Sequence, residues 1–128
     1  MFRTLIICAT LATPAIADGI PTLPGYSNFR TPETTIVDQP MSYVQDWVMS
    51  FPEEGGNASL QVTAGFSDDG LLTVEVTENG VADDSVSAIQ KRFDLRRTED
   101  WRWELVAYGF RQKCGRRDMT GWQVDPCP

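Results

Sequence analysis

Histidine and cysteine decide what chemistry this chain can carry. The chain contains no histidine, which excludes every catalytic triad and nearly every catalytic metal site built on imidazole. Of three cysteines, Cys8 lies in the apolar N-terminal run, which leaves Cys114 and Cys127 near the C-terminus. Their spacing is far from C-x-x-C, and an even count in a chain sent to an oxidising compartment reads as a disulfide. No glycine-rich phosphate loop is present. Asp68 and Asp69 before Gly70 offer too few regularly spaced oxygens for a calcium loop. What remains is carboxylate chemistry, in which two acids flanking a cleft hydrolyse a glycoside. No pair stands out, and such a cleft is hard to build in a domain this small. The expectation is no catalytic residue, no metal site, no cofactor and no enzymatic activity.

Binding is better represented than catalysis. The last quarter, Trp101 to Pro128, holds three of the four tryptophans and both remaining cysteines. Within it Arg116 and Arg117 stand as neighbours on a loop tethered by Cys114 and Cys127, close in sequence to Trp122, Tyr108 and Arg111. Adjacent guanidinium groups take a phosphate or carboxylate, and an indole beside them supplies the apolar contact common at binding hot spots. The competing account is that these arginines only answer acids elsewhere. Between Thr31 and Asp84 there are eleven acidic residues and no Lys or Arg, whereas Ser85 to Asp118 holds nine basic residues against five acidic ones. The net charge of −7 conceals this division, and two such halves neutralise each other across paired strands.

The elements that must position these residues follow from the patterning. Residues 1–17 combine Arg3, an apolar run from Leu5 to Ala12 and small residues at Ala15 and Ala17, the three regions of a secretory signal cleaved before Asp18. The run is too short for the roughly 20 residues of a membrane span, and residues 5–7 are not those that precede a lipidated cysteine. Residues 18–37, rich in Pro, Gly, Ser and Thr, read as an extended arm. Residues 38–128 read as one α+β domain.

In that domain Tyr43, Val44, Trp47, Val48 and Phe51 recur on one face of a helix from Asp38 to Phe51, capped by Asp38 or Ser42 and ended by Pro52. The aromatic stripe reads as a core face lying on a sheet. Leu60 to Phe66 and Leu72 to Glu78 alternate as two strands, each with one buried face, around the turn Ser67-Asp68-Asp69-Gly70. Asn57-Ala58-Ser59 matches the glycosylation pattern and is read as coincidence. Residues 86–97 fit either a helix or a strand. We take the strand, joined through Thr98-Glu99-Asp100 to a last strand, Trp101 to Lys113. That strand is apolar on both faces from Leu105 to Phe110, so something besides the helix must cover it, and Gly109 leaves room for a backbone or a large ring. The expected architecture is one amphipathic helix packed on a curved four-stranded antiparallel sheet, with a C-terminal loop closed by a disulfide.

Asp83-Asp84-Ser85-Val86, Trp103-Glu104-Leu105-Val106, Gly109 with Arg111 and Cys114, Arg116 or Arg117, Trp122 and the closing Cys127-Pro128 resemble a pattern of small, uncharacterised secreted bacterial proteins. The helix followed by a meandering sheet is similar to cystatin-like and NTF2-like folds. The resemblance implies a periplasmic location and a disulfide between the two cysteines, and brings no catalytic residues. Fold likeness alone does not fix function. The functional expectation is a secreted or periplasmic module acting on a cell-envelope protein, as inhibitor or accessory subunit, with no nucleic-acid partner. The alternative is a small-ligand binder or carboxylate-based hydrolase with a pocket between the helix carrying Trp47 and the sheet.

Overall fold

The structure, a computed structural model, describes residues 19–51, 58–81, 85–116 and 119–128. The expected signal segment, the glycosylation pattern at Asn57, and Arg117 lie outside the described residues.

A single antiparallel sheet carries the molecule. Its strands are β1 (Ile36–Val37), β2 (Ser59–Phe66), β3 (Leu72–Asn79), β4 (Val86–Arg97) and β5 (Trp103–Cys114), in the spatial order β1-β5-β4-β3-β2. Residues 86–97 are therefore a strand, and β4 with β5 forms the longest pairing, from Val86↔Cys114 to Arg97↔Trp103. Its register shifts between Val86 and Ala88 and again between Asp94 and Leu95; such irregularities bend a strand and sharpen its twist, curving the sheet. The β2–β3 turn closes through a hydrogen bond from Gly70 N to Ser67 O of 2.9 Å, with Gly70 at φ 81°, a backbone angle that costs glycine little.

The strand count exceeds expectation by one. β1 has two residues, too few to show a period, and lies in the segment expected to be an arm apart from the domain. It forms because β5 would otherwise present a row of open backbone groups. The arm answers along most of that edge: Leu105 N donates to Thr35 O, Tyr108 N to Pro21 O, Leu23 N to Tyr108 O, and Ser27 and Phe110 exchange a pair of bonds at 2.8 and 2.9 Å. Near the far end Gln112 and Gln123 exchange another pair.

The one α-helix among the described residues, α1 (Ser42–Ser50), is shorter than expected at its N-terminal end. Neither expected cap is used: Met41 occupies the cap position and no side chain bonds to the first turn. Asp38 instead accepts from Arg102 Nε at 2.8 Å, which removes it from the helix end. Phe51 is extended, with ψ 136°, as suits a residue before Pro52.

The core forms between α1 and one face of the sheet, around Val44, Val74, Val76, Phe93, Leu95, Leu105 and Tyr108, with Tyr43 and Trp47 packed on its margin. β2 departs from the expected half-buried pattern: Leu60 is partly buried and every other residue of the strand is exposed. A helix of nine residues does not extend far enough to cover the outermost strand.

Candidate functional site

The two faces of the sheet differ in what their polar groups have available. On the face away from α1, Tyr26 of the arm lies against Gly109, and buried Gln90 sits at the centre of a network. Its Oε1 accepts from Tyr26 Oη at 3.3 Å and from Arg111 Nε, while its Nε2 donates to Thr77 Oγ1 at 2.8 Å. Arg92 grips Asp94 through Nε at 3.0 Å and Nη2 at 3.2 Å, and Thr73 Oγ1 donates to the same carboxylate. That carboxylate raises the Arg92 pKa above its ordinary value. Burial raises the Tyr26 pKa against the opposing pull of Arg111. No buried side-chain polar atom lacks a partner among the described residues. A satisfied network of this kind holds the arm to the sheet.

The sequence-predicted binding residues divide between the faces. The Arg111 guanidinium lies 4.4 Å from the Tyr26 ring centre and 4.9 Å from that of Trp122, and Lys113 Nζ lies 4.8 Å from Trp122. The disulfide between Cys114 and Cys127, with Cα atoms 5.4 Å apart, returns the chain so that Trp122 meets β5. Arg116 is exposed just beyond the strand. Tyr108 does not join them: alternation sends it to the α1 face, where it is buried and its hydroxyl donates to Phe29 O at 2.9 Å. Burial pushes its pKa up to about 12.

On the α1 face two adjoining hollows of about 490 and about 510 Å³ open between the helix, the arm and the sheet. Arg30, Tyr43 and Lys91 line both. The larger adds Phe29, Trp47 and Phe110. Tyr43 stacks on Phe93 at 5.1 Å and donates to Thr34 O at 2.8 Å, while Trp47 Nε1 donates to Glu78 Oε2 at 2.8 Å. These contacts fix the helix at a distance from the sheet. Hollows of this volume are large enough for a small molecule, and their lining is about equally polar and apolar.

Lys91 is the unusual member. It shares a sheet face with Ile89 and Phe93 and is flanked in register by Val76 and Phe110, so its amine rises from an apolar floor, 4.5 Å from the Trp47 ring centre. Neither Lys91 nor Arg30 forms an ion pair among the described residues, where Arg92–Asp94 and Arg102–Asp38 do. Desolvation lowers the Lys91 pKa, the neighbouring Arg30 charge lowers it further, and Glu78 opposes them more weakly. Arg30 thus outweighs Glu78 at the amine itself, although Glu33, Asp46 and Glu78 also line the hollows.

These hollows lie between the helix carrying Trp47 and the sheet, where the alternative sequence reading put a pocket, but sequence reasoning named neither Lys91 nor Arg30 in it. Lys91 carried the signal, as a charged residue at an inward position between Ile89 and Phe93. Arg30 gave none, because nothing in an irregular arm indicates where it folds. No group of three or more His, Cys, Asp or Glu residues able to hold a metal occurs among the described residues, and no helix there is long and apolar enough to cross a membrane. No family model, no curated protein and no solved structure matches this chain.

Proposed function

We propose that this protein is a secreted or periplasmic, non-catalytic binding domain whose cleft between α1 and the sheet takes a small amphiphilic anion. The ligand has an apolar or aromatic body with one carboxylate, sulfonate or phosphate head. One observation carries the reading: Lys91 and Arg30, two cations without an ion-pair partner among the described residues, converge where both hollows meet. Holding two like charges near an apolar floor costs stability unless something uses them. A bound anion would relieve that cost, while Phe29, Tyr43, Trp47 and Phe110 take its apolar part. The disulfide supports an oxidising compartment.

The test uses two naphthalene dyes that differ in charge. Anilinonaphthalene sulfonate is expected to bind at one site, raise the melting temperature and bind more tightly than uncharged N-phenylnaphthylamine. Lys91→Met is expected to abolish the difference between the dyes while leaving the uncharged one bound. Equal binding of both dyes to the native protein would rule out the anion site.

A second reading, docking of a cell-envelope protein, rests on the Arg111–Trp122 stack with exposed Arg116 beside it. It requires a partner that is retained by the native protein and lost from both Trp122→Ala and Arg116→Glu. Retention by both variants would exclude it.

A further inference from the structure

Of the two lysines in the chain, Lys91 and Lys113, only Lys91 lies in the cleft. Both hollows open onto it, and Val76 and Phe110 flank it in register on the sheet. Its companion Arg30 is held at φ 58°. The turn from Asn28 to Thr31, closed by Thr31 N donating to Asn28 O at 3.2 Å, puts Arg30 at the third position, where a positive φ favours glycine or asparagine. Such a backbone is costly for a residue with a side chain and persists where the surroundings fix it, often at ligand sites. Here the Tyr108 hydroxyl fixes it by donating to Phe29 O.

We propose that the Lys91 amine captures the carbonyl of an α-keto acid as a reversible imine, while Arg30 holds the ligand's carboxylate and the aromatic lining holds its apolar side chain. The proposal rests on the cleft being the binding site argued above and adds the bond made there.

The two cations suit different parts of one ligand. A carboxylate alone is met best by arginine, which is always charged and bonds both oxygens. A desolvated amine next to it adds little to that pairing. An amine in an apolar setting beside another cation is instead how a lysine becomes nucleophilic towards carbonyls. At Lys91 the apolar floor and Arg30 disfavour the ammonium, while Glu78 and the Trp47 ring favour it. The outcome is a pKa below the ordinary 10.5. An α-keto acid carries its carboxylate on the carbon next to the carbonyl, so one small molecule presents an electrophile to Lys91 and an anion to Arg30.

The step is a condensation with no change of oxidation state. The nitrogen lone pair forms the C–N bond as the carbonyl π pair moves to oxygen, which takes a proton. The carbinolamine then loses that oxygen as water, both hydrogens coming from the amine, and C=N remains. Glu78, which accepts from Trp47 Nε1 and whose charge reaches the amine, is placed to carry protons between nitrogen and oxygen. Water reverses every step, so the ligand is held and not consumed.

Phenylpyruvate with cyanoborohydride tests this, because the reductant turns the imine into a stable amine heavier than lysine by the ligand less one oxygen. Peptide mapping of the native protein is expected to find this mass on Lys91, with little on Lys113 or the α-amine, and less of it when anilinonaphthalene sulfonate is present. That comparison needs no variant. Lys91→Arg keeps the charge but forms no imine, so it is expected to lose the label and still prefer the sulfonated dye. Arg30→Gln is expected to slow labelling by phenylpyruvate more than by phenylacetone, which has a methyl group in place of the carboxylate. Dye bound in the cleft with Lys91 unlabelled, or label spread equally over the three amines, overturns the proposal and leaves the anion site standing. A ratio of the two labelling rates that Arg30→Gln does not change overturns the choice of an α-keto acid. Equal binding of charged and uncharged dyes together with no label on Lys91 fails both readings.

Discussion

The ring of Tyr26 lies over Gly109 so closely that a side chain there would overlap it: a Cβ on Gly109 would stand 2.6 Å from Tyr26 Cβ and from Cδ1. This contact pins the arm to β5 from the face opposite α1. The same tyrosine reaches Glu75 Oε2 at 3.4 Å and Gln90 Oε1 at 3.3 Å, so its ring cannot move without disturbing the network around Gln90.

Gly109→Ala is therefore expected to destabilise the protein by about 1–3 kcal/mol, the usual cost of overpacking a filled site. The arm should loosen first, seen as faster amide exchange at Leu23 and Ser27, which bond to β5. An unchanged denaturation midpoint would show that the arm is not held by this contact.

The disulfide closes a span of 13 residues, and a cross-link of that length stabilises by about 3 kcal/mol on the chain-entropy account. Replacing Cys114 and Cys127 by Ala together is expected to cost about that much in chemical denaturation. It should also expose Trp122, because the bridge returns it to Arg111 and Lys113. A quenching experiment with acrylamide reads this directly. Trp122 as shielded in the variant as in the native protein would mean that its cation contacts hold it without the bridge.

These elements show what was legible before the structure. The β2–β3 hairpin could be read because alternation and the Asp-Asp-Gly turn are local, and the strand at residues 86–97 because Ile89, Phe93 and Leu95 also fit a two-residue period. Gly109 announced that something large approaches, but not that Tyr26 does. That pairing joins residues 83 positions apart, through an arm with no period of its own. β1 was missed for the same reason: its pairing answers the open edge of β5 and not its own two residues. Tyr108 was assigned to the arginine loop by proximity in sequence, whereas strand alternation sends it to the opposite face from Arg111.

Tyr108 gives an alkaline prediction. Its pKa is pushed up to about 12 by burial, so above the ordinary tyrosine value of 10.0 the unfolded chain loses this proton while the folded one keeps it. The contribution to stability is full below pH 10 and is lost as the pH rises towards 12. An ultraviolet titration should show Tyr108 as the last of the three tyrosines to ionise. Tyr108→Phe is expected to cost about 1 kcal/mol at neutral pH by orphaning the Phe29 carbonyl, and to flatten the alkaline decline. Ionisation of all three tyrosines together near pH 10 would contradict the burial.

Lys91 gives the opposite slope in a neighbouring window. Its folded pKa lies below the ordinary 10.5, chiefly because the amine is desolvated and secondly because Arg30 repels it. Below the folded value both states carry the proton, and the folded state bears the full cost of the buried charge. As the pH rises from that value towards 10.5, the folded lysine discharges first and the cost is relieved, so this group makes the protein more stable with rising pH. Lys91→Met keeps an unbranched chain against Trp47 and removes the charge. It is expected to raise the melting temperature at neutral pH by a few degrees, the shift that roughly 1 kcal/mol brings in a domain of this size, and to abolish the upward slope. The same substitution should remove the preference for the sulfonated dye, and the native protein should lose that preference as the pH passes the lowered Lys91 pKa. Stability gained and anion binding lost by one substitution are what a charge kept for a ligand predicts. A variant that is less stable and still prefers the anion would assign Lys91 to packing alone and leave the head group to Arg30.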